Sequence, residues 1–168
     1  MMTTKIRQAV NSDSPALKNM IFDIWKNEYQ FDVHEKDYPD LTLIEKYYSQ
    51  HEGLFLVAID EQSNIIGSIA YQCLSPNDFV LKRMFVKKSH RGKGVAQNLL
   101  SKLLNYIQED ESNTGKIILY LSTKEDQAIA AKYFYLKNNF KIISKGMIPN
   151  GFPFFYEDDL FMAKEINC

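Results

Sequence analysis

The residues best suited to chemistry in this 168-residue chain form a short segment, Arg91-Gly92-Lys93-Gly94. Glycine lacks a Cβ atom, so the backbone N–H groups of Gly92 and Gly94 can approach a ligand closely. A helix is predicted after the segment, and the N–H groups of a first helical turn have no intrahelical partner. Such a helix end attracts anions, and the Arg91 and Lys93 side chains add positive charge beside it. The segment therefore predicts a site for a diphosphate group.

Two familiar phosphate-binding patterns do not fit this segment. A Walker A loop requires Gly-x-x-x-x-Gly-Lys followed by Ser or Thr, a pattern that this stretch does not follow. The dinucleotide-binding pattern requires a third glycine where this chain has Gln97. A glycine turn that only begins a helix remains as an alternative, and the two glycines by themselves leave both interpretations open.

The elements on either side of the segment follow from hydrophobic periodicity. The apolar run Phe79–Val86 predicts a strand, apolar spacings of three and four after Ala96 predict a long helix, and Ile117–Leu121 predicts a buried strand. This order predicts a parallel βαβ crossover. Lys82 and Arg83 interrupt the first strand, which predicts either a β-bulge or cationic side chains that reach solvent from a sheet edge.

The remaining elements complete one predicted domain that spans residues 1–168. Further strands are predicted at Ile6–Val10, Leu54–Ile59, Ile65–Tyr71, Phe140–Ser144 and Asp159–Ile166, and further helices begin at Ser14 and Asp40 or cover Glu125–Lys137. Asp40 is expected to cap its helix. The predicted fold class is α/β, with a mixed, mostly antiparallel sheet, one parallel crossover and helices on both faces.

Composition argues against several classes of function. Lys and Arg number 20 and Asp and Glu number 21, so the formal charge is −1 and we expect no nucleic-acid or anionic-membrane partner. The longest apolar run, Leu54–Ile59, is far shorter than the roughly 20 residues of a membrane helix, and no signal peptide is expected. Cys73 and Cys168 suggest neither a disulfide framework nor a metal site, so we expect no metal and a cytoplasmic location.

Two blocks of the sequence resemble the GNAT family of N-acetyltransferases. Arg91-x-x-Gly94-x-Ala96, preceded by Leu81–Val86, resembles the loop with which that family binds the pyrophosphate of acyl-CoA. Ala131–Phe140 resembles the second block of the family, Ala-x-x-x-Tyr-x-Lys-x-Gly-Phe.

The likeness extends along nearly the whole chain, since the order of elements agrees with the family from residue 4 to residue 166. Asp159–Glu165 resembles the last strand of the family. Asn139 stands where the family often has glycine, and asparagine can end a helix in the same left-handed conformation.

The resemblance implies that acetyl-CoA is the cosubstrate. Backbone groups of Met84, Phe85 and Val86 would hold the pantetheine and polarise the thioester carbonyl, and residues 92–96 would hold the pyrophosphate. The implied acetyl-CoA-binding residues are Met84, Phe85, Val86, Arg91, Gly92, Lys93, Gly94, Val95 and Ala96.

The resemblance also implies acetyl transfer to a primary amine by direct attack in a ternary complex. Tyr135 matches the family's tyrosine and is predicted as the general acid, because a phenol with a pKa of about 10 can donate a proton at neutral pH. Packing within its helix is the alternative role. Glu28, near the end of the first helix, is predicted as the general base, with a water chain as the alternative. Arg83 and Lys82 are predicted to meet a carboxylate on the acceptor.

These expectations favour an N-acetyltransferase that acts on a small-molecule or amino-acid-like amine. The alternatives are a protein acetyltransferase for lysine or N-terminal amines, and a non-catalytic acyl-CoA sensor. A homodimer, frequent in the family, is a further expectation. Aromatic residues make up 13% of the chain and concentrate in two loops, Glu28–Pro39 and Gly146–Tyr156, which we expect to form a wall that attracts an ammonium group.

Overall fold

The computed structural model describes residues 4–49, 52–126, 129–154 and 158–168. The strands are β1 Lys5–Gln8, β2 Gly53–Ile59, β3 Ile65–Cys73, β4 Asp78–Val86, β5 Lys116–Thr123, β6 Lys141–Ile143 and β7 Leu160–Asn167. The helices are α1 Ser14–Asp23, α2 Ile44–Tyr47, α3 Val95–Glu109 and α4 Ile129–Lys137. The last two residues of the second aromatic loop, 155 and 156, lie outside the described residues.

The strands form one sheet in the order β1-β2-β3-β4-β5-β7-β6. β1 pairs antiparallel with β2, β2 with β3, β5 with β7 and β6 with β7, whereas β4 and β5 run parallel. In the parallel pair, Phe79 lies opposite Leu119. Because α3 connects these two strands, the predicted βαβ crossover is confirmed, as is the predicted fold class.

Backbone contacts divide the chain into two compact units, Met1–Gln72 with Lys82–Tyr106 and Cys73–Leu81 with Ile107–Cys168. In the first unit, Pro15 occupies the first turn of α1, where its missing N–H costs no hydrogen bond. Leu17, Met20 and Ile21 form the buried face of this helix. A π-helical turn over Ile24–Glu28 continues α1, and such turns are frequent at functional sites.

Helix α3 packs closely on strand β3 in the same unit. Val95, Leu99 and Leu103 are buried on one face of α3. A Cβ atom built on Gly67 of β3 would lie 3.1 Å from side-chain atoms of both Val95 and Leu99. Glycine at this position therefore lets the helix approach the sheet, which brings the start of α3 close to the end of β4.

The second unit has its own apolar cluster and contains the second block of the sequence. Val80, Tyr120 and Phe152 form a buried cluster. Asn139 ends α4 with a φ of 66°, so its predicted left-handed conformation is confirmed. The Phe140 N–H then donates to the Tyr135 carbonyl at 3.0 Å, a bond that closes the end of the helix.

Over the described ranges, no helix is both long and apolar enough to cross a bilayer. The same residues contain no group of three or more His, Cys, Asp or Glu side chains that could hold a metal ion.

Candidate functional site

Strand β4 departs from regular geometry at Arg83, the position where the sequence predicts an irregularity. The φ of Arg83 is 55°, in the left-handed region that residues with a side chain rarely adopt. The Ser68 hydroxyl of β3, fully buried, donates to the Arg83 carbonyl at 2.7 Å. The alternative of a cationic side chain that reaches solvent from a sheet edge is wrong for Arg83, because its side chain is buried.

The side chain of Arg83 forms a buried, bidentate ion pair with Asp40. Its Nε and Nη2 atoms lie 2.9 Å and 3.0 Å from the two carboxylate oxygens, and the side chains are only 9% and 7% exposed. The Tyr48 hydroxyl donates to the same carboxylate at 2.7 Å. Burial alone would raise the pKa of Asp40, but the charge and hydrogen bonds of Arg83 outweigh it and hold the pKa below its ordinary value.

Two aromatic rings also face the Arg83 guanidinium. Its central carbon lies 5.5 Å from the ring centroids of both Trp25 and Tyr38, within cation–π range. In the structure, the Arg83 fork is bound to Asp40, and Tyr38, in the first aromatic loop, faces this cation of the protein. The aromatic wall and a role of Arg83 at the acceptor stay predictions. Asp40 lies within a 3-10 turn, Pro39–Leu41, and the N-cap position of α2 is Leu43, so the prediction that Asp40 caps this helix is wrong.

Lys82, next to Arg83, is a half-buried lysine with an altered proton affinity. Burial, reinforced by the nearby Arg83 charge, lowers the pKa of Lys82 to about 8. Its Nζ donates to the Gln72 Oε1 at 3.0 Å, and the Gln72 Nε2 donates to the Tyr47 carbonyl at 3.2 Å. This ammonium has three donors and the bond to Gln72 uses one, so Lys82 can still donate to an anionic group.

The glycine segment has the backbone geometry that close contact with an anion requires. Gly92 and Gly94 have φ values of 73° and 82°, both left-handed. A Cβ built on either would meet no described atom within 4 Å, chain neighbours aside, so conformation rather than crowding requires glycine. The Asn98 N–H donates to the Gly94 carbonyl at 3.0 Å and begins the hydrogen bonding of α3. The preceding N–H groups of Val95 and Ala96 are thus at the positive end of the helix dipole.

Two predicted site residues, Glu28 and Arg91, contact each other directly. The Arg91 Nη1 and Nη2 atoms lie 2.5 Å and 2.9 Å from the two Glu28 oxygens. The Arg91 Nε donates to the Val86 carbonyl at 2.9 Å. The hydrogen bond to Glu28 raises the pKa of Arg91, which stays charged. One side chain therefore joins the end of β4, the glycine segment and the π-helical turn.

Tyr135 is buried in α4, where its ring packs in an aromatic cluster. The ring centroid lies 5.4 Å from that of Phe134 and 5.2 Å from that of Phe140, both in edge-on geometry. The residue is 5% exposed. These contacts agree with the packing role, and the role of Tyr135 as general acid stays a prediction.

Sequence reasoning missed the partners of Arg83. Trp25, Asp40 and Tyr48 are far from Arg83 along the chain, and no local motif marks them. The one usable signal was an arginine within an apolar strand, since a buried cation requires an anionic partner.

Known proteins share this fold and part of this sequence. The family model described as an acetyltransferase (GNAT) domain matches residues 51–142. An acetyltransferase of the GNAT family from Staphylococcus aureus Mu50 is 32% identical over 98% of this chain and 100% of its own, with a TM-score of 0.89. An acetyltransferase from Streptococcus agalactiae 2603 is 25% identical over 97% of each chain, with a TM-score of 0.79.

A more distant structure shares the fold alone. It is PaiA N-acetyltransferase from Thermoplasma acidophilum in complex with coenzyme A, 20% identical over 98% of this chain and 99% of its own, with a TM-score of 0.66. No curated protein sequence matches the chain.

Proposed function

Because this chain belongs to the GNAT family of acetyltransferases, we propose that it transfers an acetyl group from acetyl-CoA to a primary amine of a small, amino-acid-like molecule. The observation that carries the proposal is the pair of left-handed glycines at the start of α3. Their backbone N–H groups and those of Lys93, Val95 and Ala96 would bind the pyrophosphate. The PaiA protein of Thermoplasma acidophilum, of the same fold, was solved with coenzyme A.

Strand β4 supplies the proposed site for the reacting end of the cosubstrate. Backbone groups of Met84, Phe85 and Val86 would hold the pantetheine and donate to the thioester oxygen. Fixed donors at that oxygen stabilise the negative charge that develops when the amine attacks. The Val86 carbonyl is held by Arg91, so the strand end and the pyrophosphate loop are already joined by a hydrogen bond.

The proton transfers are assigned to two residues. An alkyl ammonium has a pKa near about 10.4 and must lose a proton before it can attack. Glu28 would accept that proton, directly or through water, and Tyr135 would donate its phenolic proton to the departing CoA sulfur. The new amide bond forms as the carbon–sulfur bond breaks. Glu28 then releases the accepted proton to solvent, and the Tyr135 phenolate takes one up.

The position of Lys82 supports the proposal that the acceptor carries a carboxylate. The Lys82 ammonium retains donors beyond the one bound to Gln72, whereas Arg83 is occupied by Asp40. Lys82 therefore takes the carboxylate-binding role first predicted for both residues. A cytoplasmic location and a homodimer remain predictions from the sequence.

Two measurements test the proposal. A thermal-shift titration with acetyl-CoA comes first, since a ligand at a hundred times its Kd stabilises the folded state by about 2.7 kcal/mol. A panel of amines with detection of the released thiol then identifies the acceptor. If acetyl-CoA stabilises the protein but no small amine, peptide or protein causes release of the CoA thiol, the result would point to a sensor and contradict the enzymatic proposal.

A matched pair of variants tests the pyrophosphate loop. Gly94→Ala and Gly115→Ala both place a Cβ on a left-handed residue, with φ values of 82° and 75° and open space around each. The two carry similar backbone strain, but only Gly94 belongs to the loop. We expect Gly94→Ala to lose most of the shift with acetyl-CoA and Gly115→Ala to keep it. Equal shifts would remove the loop from the binding site.

A further inference from the structure

Arg83 combines a disfavoured backbone conformation with a position next to the proposed thioester site. It is the residue before Met84, and its left-handed φ of 55° requires an external constraint, since a side chain disfavours this region. The direction of the Met84 N–H and of the backbone after it depends on this φ.

Described contacts hold Arg83 from both its backbone and its side chain. The Ser68 hydroxyl holds the carbonyl. Asp40 holds the guanidinium through two hydrogen bonds, and Tyr48 holds Asp40. Such a bidentate bond fixes orientation as well as distance, which a single point charge does not.

Trp25 extends the constraint to the next residues of β4. Its ring lies 5.5 Å from the Arg83 guanidinium carbon and 5.6 Å from the Phe85 ring, in edge-on geometry with Phe85. Trp25 and Glu28 belong to the same π-helical turn. The turn that carries the proposed base thus contacts the strand that carries the proposed thioester site.

We propose that the Asp40–Arg83 ion pair is a positioning device, which holds residues 83–86 in the conformation that directs their backbone donors at the thioester oxygen. The inference rests on the proposed function. Arg83 and Asp40 touch no substrate in it, and they act through the backbone of Met84–Val86. Misplacing reacting groups by about 1 Å can lower a rate roughly 100-fold.

Variants at position 83 separate this role from others. Arg83→Ala removes the ion pair with Asp40 and keeps a Cβ atom. Arg83→Gly removes the ion pair and also the Cβ atom, which disfavours a left-handed φ. We expect Arg83→Ala to lower kcat roughly 10- to 100-fold and Arg83→Gly to recover part of that loss. Asp40→Asn weakens the ion pair but keeps the shape of the side chain, so it should also lower kcat.

The binding readout distinguishes positioning from general damage. Arg83→Ala should weaken the affinity for acetyl-CoA relative to CoA, because only acetyl-CoA has the carbonyl that the donors address. Asp13→Asn is the matched control, since Asp13 forms a bidentate pair with Arg7 at 2.7 Å and 2.8 Å in the same unit. When all variants are measured below their melting temperatures, the control should change neither kcat nor the ratio of the affinities for acetyl-CoA and CoA.

Three results would overturn the inference. They are an unchanged kcat in Arg83→Ala, a loss confined to KM for carboxylate-bearing acceptors, and equal losses in Asp13→Asn and Asp40→Asn.

Amide hydrogen exchange tests the positioning role without any ligand, so failure of the proposed function is distinguishable. The N–H groups of Met84–Val86 should exchange faster in Arg83→Ala and Asp40→Asn than in Asp13→Asn. Unchanged exchange would contradict the positioning role even if the wild-type protein acetylates an amine. Faster exchange in Arg83→Ala and Asp40→Asn, together with a wild-type chain that fails to bind acetyl-CoA, would retain the positioning role of the ion pair and reject the proposed function.

Discussion

Glu28 and Arg91 lie 63 positions apart in sequence and form a bidentate ion pair, with N–O distances of 2.5 Å and 2.9 Å. The pair is partly solvent-exposed, with side-chain exposures of 42% for Arg91 and 25% for Glu28. It connects the residue proposed to take the acceptor proton with the residue that begins the proposed pyrophosphate loop. A phosphate at that loop would compete with Glu28 for the same guanidinium.

Glu28→Gln is predicted to tighten CoA binding while it slows turnover. Loss of the carboxylate charge frees Arg91 for phosphate, and an exposed pair of this kind is worth about 0.2–1 kcal/mol, so the gain in affinity is at most a few-fold. The loss of the base lowers kcat. Calorimetric titration with CoA and steady-state kinetics measure the two effects. Weaker CoA binding in the variant would mean instead that the ion pair holds the loop in place.

Tyr135→Phe is predicted to lower kcat by roughly 10²- to 10⁴-fold, the contribution of general acid catalysis, and to leave the affinity for acetyl-CoA unchanged. Phenylalanine keeps the ring contacts with Phe134 and Phe140. Tyr133→Phe, on the same helix at 64% exposure, is the control and should behave like wild type. A wild-type kcat at saturating substrates would remove Tyr135 from the mechanism.

The lowered pKa of Lys82 predicts that the folded protein becomes more stable at alkaline pH. This pKa is about 8 in the folded chain against 10.5 in the unfolded chain, so the unfolded state binds more protons between those values. The free energy of unfolding should therefore rise with pH across this window in wild type relative to Lys82→Met. Urea titrations at several pH values measure it, with Lys116→Met, a surface variant, as control. Parallel pH profiles for wild type and Lys82→Met would show that the pKa of Lys82 is not lowered by folding.

Tyr48→Phe is predicted to destabilise the protein by about 1.5–3 kcal/mol, the value of a hydrogen bond to a charged group. The Tyr48 hydroxyl donates to the buried Asp40 carboxylate at 2.7 Å, and phenylalanine keeps the edge-on contact of the ring with Phe55. Denaturant unfolding measures the change, with Tyr106→Phe, 40% exposed, as the control. A variant as stable as wild type would show that Arg83 alone compensates the Asp40 charge.

Local sequence patterns predicted the parts of the fold that local physics determines. The parallel crossover follows from the order of a strand, a helix and a buried strand, and the end of α4 follows from the tolerance of Asn139 for a left-handed conformation. The irregularity in β4 was foreseen because two cationic residues cannot both follow the alternation of a strand. Each of these signals lies within a few residues of the feature that it predicts.

The partners within the candidate site could not be predicted in the same way. Asp40 and Arg83 are 43 positions apart, and nothing in the sequence near Asp40 distinguishes a buried ion-pair partner from a helix cap. The pairing of Glu28 with Arg91 likewise depends on the π-helical turn, which adds a residue to the last turn of α1 and is invisible to a periodicity of 3.6. Long-range pairs of this kind emerge only once the chain has folded.

Trp25 is the single tryptophan of the chain. The tryptophan emission of the protein therefore originates from a ring that touches both Arg83 and Phe85. The wavelength and intensity of this emission depend on the polarity and mobility of the residues around the ring. The chain thus contains an intrinsic optical reporter of segment 83–86, readable in the unmodified protein as ligands are added or Asp40 is replaced.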